Sequence, residues 1–166
     1  MKTVKKRSQK QEKSVAKDFN AKVTVASGAL WGAKGDVRSD KFLCECKTTE
    51  KDYYSLTSKV WEKICEEAVR DHMRIPIMVI DLEDRDRVVV FNPKDFETPM
   101  KSPYDCTYNG DNQKSFRVSV KGLLEAEEDM GEYIYGRLFI ICGKKENMLM
   151  YLRMKDFEDH FKEELV

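Results

Sequence analysis

At 166 residues, 36% charged and 41% hydrophobic, the chain can bury one sizeable core. It contains no apolar run near the roughly 20 residues a membrane span needs, and its opening, "MKTVKKRSQKQEKS", is too polar for a signal peptide's apolar segment. The formal net charge is zero, yet residues 1–63 carry 15 basic and 8 acidic side chains and residues 64–166 carry 15 and 22, so the half suited to phosphate is the N-terminal one.

In chain order, residues 1–7 form a basic arm with Lys2, Lys5, Lys6 and Arg7, suited to phosphate contacts or to a solvated tail. Apolar spacing then predicts a helix over Ser8–Asn20, with Val15, Ala16 and Phe19 on one face and Glu12 one turn earlier. Strands are predicted at Lys22–Ala26, Gly35–Ser39 and Lys41–Lys47, the last two joined by a tight turn. From Tyr54 to His72, Leu56, Val60, Trp61, Ile64, Ala68 and Val69 recur at three- and four-residue steps, which predicts a helix with one buried stripe. Two strands follow, "IPIMVID" and "RVVVF", with the polar turn "EDRD" between them. The five cysteines, with only two histidines, read as reduced and buried thiols rather than a zinc site.

Side chains alternate along the Lys41–Lys47 strand, so Phe42, Cys44 and Cys46 face one way and Leu43, Glu45 and Lys47 the other. Asp36, on the neighbouring strand, can approach Glu45. Converging carboxylates suit Mg²⁺, a hard cation that takes oxygen ligands and keeps several waters, and an ammonium beside them can hold a phosphate or a water. An isolated E-x-K in so charged a chain is also what a solvated strand face produces. The ordered set Glu12, Gly35-Asp36, Glu45-x-Lys47 and Thr48-Thr49 is what points to a site.

That order, E…GD…ExK with the second acid in "CECKTT", resembles the PD-(D/E)XK nuclease superfamily, and within it the archaeal and phage Holliday-junction resolvases. The resemblance covers Gln9 to Phe96, and Gly35 stands where the superfamily name has proline. It implies an α/β fold: a restriction-endonuclease-like core of order α-β-β-β-α-β-β, with a mixed central sheet flanked by helices and a C-terminal helix–hairpin–helix extension. Glu12, Asp36, Glu45 and Lys47 are the implied catalytic residues. Asp36, Glu45 and the Cys46 backbone carbonyl would hold Mg²⁺, or Mn²⁺ as its substitute, with Glu12 as a further ligand or acting through water. Lys47 would orient or deprotonate the attacking water. Ser27, in the loop Ala26–Gly32, and Trp31 would approach the substrate, with Lys5, Lys6, Arg7, Lys34, Thr48 and Tyr53 as further DNA contacts. The implied protein is a cytoplasmic, Mg²⁺-dependent endonuclease acting on branched DNA as a homodimer, in a bacterial, archaeal or phage-infected cell. A restriction-type or repair endonuclease would use the same residues, and a catalytically idle DNA-binding or structural protein would keep the carboxylates for fold or charge alone.

After the core at 8–97, residues 98–113 read as a linker and 114–166 as an extension. A shift of 61 residues lays Ile77–Glu97 on Leu138–Glu158 without a gap, including a shared K-D-F-E at Lys94–Glu97 and Lys155–Glu158. A degenerate repeat of 54–97 is one reading, and convergence on strand–turn–strand–helix the other, with Asp95 and Asp156 capping two helices. The second copy has Cys106 and Tyr108 where Glu45 and Lys47 stand, so it would extend the sheet, cover an edge or form an interface rather than do chemistry. Leu138, Ile140, Leu149 and Tyr151 are then expected to be buried like Ile77, Val79, Val88 and Val90.

Overall fold

Helix α1 runs Val4–Asp18, four residues longer at its start than the apolar pattern suggests. Lys, Arg and Gln are good helix formers and no glycine or proline interrupts them, so residues 4–7 of the expected arm belong to the helix, and residues 1–3 lie outside the described residues. In the computed structural model, residues 4–24, 35–83, 86–97, 113–130, 136–161 and 163–165 are described. Strands β1 (Lys22–Val23), β2 (Val37–Arg38) and β3 (Phe42–Thr48) follow and pair antiparallel in that order.

The stretch read as the start of a long helix divides in two. Tyr53–Thr57 is a strand, β4, and the helix α2 occupies Ser58–Arg70, with the Thr57 hydroxyl accepting from the Val60 amide at 3.3 Å. Tyr and Thr favour extended backbone, and a hydroxyl three residues ahead of Val60 makes a helix start. Of the expected stripe, Trp61, Ile64 and Ala68 are buried, whereas Val69 is 56% exposed. Strand β5 (Ile75–Asp81) lies parallel to β3, β6 (Arg87–Phe91) turns back antiparallel, and Pro93–Asp95 forms one 3₁₀ turn.

Later in the chain come β7 (Ser115–Ser119), α3 (Val120–Met130), β8 (Gly136–Cys142), β9 (Glu146–Arg153) and α4 (Met154–His160). One mixed, mostly antiparallel sheet orders its strands β1-β2-β3-β5-β6-β9-β8, and β4 and β7 pair separately as a two-stranded antiparallel ribbon. The C-terminal segment therefore extends the main sheet, through β9 on β6. The 61-residue shift carries β5 onto β8 residue for residue, β6 into β9, α2 onto α3, and β4 to within one residue of β7. Equivalent strands meet antiparallel, β6 with β9 and β4 with β7, which is the pairing a local two-fold axis requires.

Two apolar layers sandwich the sheet. On one face, Val15, Ala16 and Phe19 of α1, together with Met154, Phe157 and Phe161 at the C-terminal end, pack on Phe42, Cys44, Cys46, Ile77, Val79, Val89 and Phe91. On the other, Trp61, Ile64 and Leu123 of α2 and α3, with Leu56, Phe116 and Val118 of the ribbon, cover Met78, Ile80, Val88, Val90, Phe139, Leu149 and Tyr151. The expected burial of Leu138, Leu149 and Tyr151 holds, while Ile140 is half-buried. The two K-D-F-E segments differ. Lys155–Glu158 lies inside α4, but the 3₁₀ turn is confined to Pro93–Asp95, and Phe96 already has extended backbone. Their caps are Asn92 and Arg153, not Asp95 and Asp156. What the copies share is the phenylalanine: Phe96 and Phe157 meet edge-on at 5.6 Å between ring centres.

Among the described residues no helix is long and apolar enough to cross a membrane. Cys44 and Cys46 are buried, and burial pushes both thiols well above the ordinary range. Cys65, partly exposed, is pushed by burial to about 11.

Candidate active site at the β2–β3 fork

Strands β2 and β3 pair over only two residues, Val37 with Cys44 and Arg38 with Leu43. At Asp36 they part. The Asp36 amide still donates to the Cys44 carbonyl at 3.0 Å, and one Asp36 carboxylate oxygen, Oδ2, accepts the Cys46 amide at 2.8 Å. Gly35 lets the chain enter this fork: its φ of +71° is left-handed, and a Cβ there would lie 2.6 Å from the Leu43 side chain. Amide and carbonyl of one strand residue point the same way, so the Cys46 carbonyl is directed to the side where β2 has ended and Asp36 stands.

Glu45 and Lys47 project from the opposite face to Cys44 and Cys46, as alternation requires, and their side chains bond to each other, Lys47 Nζ to Glu45 Oε1 at 2.6 Å. Burial, then the charges of Glu45 and Glu12, raise the Asp36 carboxyl to about 6, against a lowering by the Cys46 amide and Lys47. Burial pulls the Lys47 ammonium down, but its bond to Glu45 and the charges of Glu45, Tyr54 and Asp36 outweigh this and leave it raised. Lys47 is thus held protonated, which favours an orienting part over proton abstraction.

Helix α1 reaches the site through Gln11. Its side chain is 2% exposed; Nε2 donates to the Lys47 carbonyl at 2.9 Å and the Val79 carbonyl at 3.1 Å, and Oε1 accepts from the Thr48 hydroxyl at 2.7 Å. Glu12, next to it, accepts from Ser8 at 3.0 Å. Gln11 went unassigned in the sequence, although it lies on the helix stripe with Val15 and Phe19, and a polar residue on an apolar stripe is a legible sign of a buried hydrogen bond.

The expected residues divide accordingly. Asp36, Glu45, Lys47 and the Cys46 backbone come together at the fork, and Glu12 is close enough for Asp36 to feel its charge. Thr48 is committed to Gln11, Lys6 is exposed, and Arg7 forms an ion pair with Glu50 at 3.8 Å. Tyr53 lies on β4, its ring under the Arg117 guanidinium, and Tyr54 faces inward toward Lys47 and Glu45. Ser27, Trp31, Lys34 and Cys106 lie outside the described residues, as does the Lys5 side chain.

Among the described residues no group of three or more His, Cys, Asp or Glu side chains is gathered closely enough to hold a metal as it stands. The reason is visible in the partners: Glu45 is turned to Lys47 and Glu12 to Ser8. The donor set nevertheless fits a hard cation. It consists of oxygens, and an elevated carboxyl flanked by two further carboxylates is a place short of positive charge.

The raised Asp36 makes stability depend on pH in a definite direction. Below its ordinary value of 3.8 the group is protonated in folded and unfolded chains alike; between 3.8 and about 6 the unfolded chain ionises first, so stability falls as pH rises through that window. In metal-free protein, Asp36→Asn should lose less of its melting temperature than the wild type over the same interval. Parallel melting curves for the two would remove the buried carboxylate from the explanation.

Compared with known proteins, the chain matches no family model and no curated protein.

Proposed function

We propose that the chain is a Mg²⁺-dependent DNA endonuclease with a restriction-endonuclease-like core, acting on branched DNA as a Holliday-junction resolvase. The observation that carries this reading is the fork itself: Asp36 anchored on the Cys46 amide beside the Glu45–Lys47 pair, on a scaffold in which a helix precedes three antiparallel strands and a second helix leads to a strand parallel to the third. Supporting it, the basic surplus lies in the same half of the chain.

Asp36, Glu45 and the Cys46 carbonyl would hold Mg²⁺ or Mn²⁺, with Glu12 reached directly or through water. When bound, such a cation supplies charge neutralisation at the phosphate and water of lowered pKa. The chain's own residues do the rest. Gln11 locks the end of β3 against β5, which fixes Lys47 in place. The protonated Lys47 orients a phosphate oxygen or the attacking water. Two copies related by a two-fold axis would present two such forks to a four-way junction, whose own symmetry is two-fold.

Incubating the protein with labelled four-way, nicked, linear and single-stranded DNA, with Mg²⁺ and with EDTA, tests this. Mg²⁺-dependent paired cuts in the four-way substrate are expected. Cuts confined to linear duplex would instead assign a restriction-type or repair enzyme, and binding without cuts the idle protein.

A further inference from the structure

We propose that the outer face of the β4–β7 ribbon, centred on Arg117 stacked over Tyr53, binds the phosphodiester backbone of the DNA strand flanking the scissile phosphate. This rests on the nuclease reading above and adds to it a contact surface that includes the C-terminal segment.

The ribbon has two unlike faces. Tyr54, Leu56, Phe116 and Val118 turn inward onto the apolar layer, and the neighbouring charges of Lys47 and Glu45 act on the Tyr54 hydroxyl, so β4 adjoins the site directly. Alternation puts Tyr53, Ser55 and Thr57 of β4 on the outer face, opposite Ser119, Arg117 and Ser115 of β7. Every residue of that face is a hydroxyl, a phenol or a guanidinium, and neither strand carries Asp or Glu. The nearest carboxylate in sequence, Asp52, lies in the bend before β4. Thr57 and Ser119 hydroxyls accept from the first turns of α2 and α3. That assigns Tyr53, Ser55, Ser115 and Arg117 to the surface role.

Two cations converge on one ring. The Arg117 guanidinium carbon is 4.1 Å from the centre of Tyr53, and Lys51 Nζ is 5.2 Å from it and 3.4 Å from the Tyr53 hydroxyl. Like charges drawn to one aromatic are relieved by an anion, and a guanidinium over a ring keeps N–H donors with which it can grip a phosphate through two parallel hydrogen bonds. The partner this fits is a polyanionic backbone with regularly spaced phosphates, next to the fork where one phosphate is cut.

The test is anisotropy of a labelled four-way junction with full-length protein in EDTA, so that binding is read without turnover, over a range of salt. Arg117→Ala should weaken binding and lower the slope of log K against log salt by about 0.9, one phosphate contact. Tyr53→Leu should act in the same direction by freeing the guanidinium from the ring beneath it. Arg117 is exposed, so these changes leave the inner Phe116 and Val118 packing in place. If the wild type binds and Arg117→Ala changes neither affinity nor slope, the ribbon is overturned while the nuclease reading stands. A wild type that binds neither the junction nor nicked, linear and single-stranded DNA titrated in parallel would sink both.

Discussion

Asp36→Asn and Glu45→Gln should each lower Mg²⁺-dependent DNA cleavage by at least about 10²-fold, the low end for a group that positions or activates a nucleophile. The size follows from geometry. Asp36 stands where β2 leaves β3, tied to the Cys46 amide at 2.8 Å, and Glu45 is the neighbouring acid on the far side of that residue. Amide for carboxylate keeps shape and hydrogen-bonding capacity but removes the charge that draws a cation. For the same reason, DNA affinity should be unchanged or tighter, since one negative charge facing the phosphates is gone. Cleavage time courses and gel shifts on the same protein separate the two effects. A variant that cleaves near the wild-type rate would place the chemistry elsewhere.

Phe157→Ala should destabilise the fold by about 3–5 kcal/mol, a large share of the roughly 5–15 kcal/mol a domain has in total. Phe157 has no exposed surface and touches Phe19 of α1, Phe91 of β6, Phe96 and Phe161, with ring centres 4.9–5.9 Å apart. Those rings come from both ends of the chain, so a cavity there loosens the C-terminal helix from the sheet and from the helix that carries Gln11 and Glu12. Urea unfolding reads the loss directly. A cost below about 1 kcal/mol, which is the range of a well-tolerated core swap, would mean that α4 is not part of the cooperative core.

Elements defined by a local pattern were legible. Strands β5 and β6 match "IPIMVID" and "RVVVF" residue for residue, because continuous β-branched runs bounded by polar turns have one reading. The alternation in β3 placed Glu45 and Lys47 on one face and the cysteines on the other. The 61-residue shift was also visible, because the K-D-F-E segment and the hairpin ahead of it preserve spacing.

What stayed hidden depended on residues far apart. Strand β4 was read as helix because Leu56 and Val60 are four apart, and its partner β7 begins about sixty residues later. The stack of Arg117 on Tyr53 and the grip of Gln11 on Lys47 and Val79 are of the same kind: each joins elements that only the folded sheet brings together. Asp36 was placed near Glu45 by motif order, but its bond to the Cys46 amide required the parting of β2 from β3.

Divalent-cation binding at the fork can be measured without knowing which DNA is cut. Calorimetric titration of Mn²⁺ into wild-type protein, well above the Asp36 value of about 6, should give saturable binding that weakens as pH falls through that value. Asp36→Asn, titrated alongside, should give none at the same concentrations. Equal binding by the two proteins, or none by the wild type, would contradict the site.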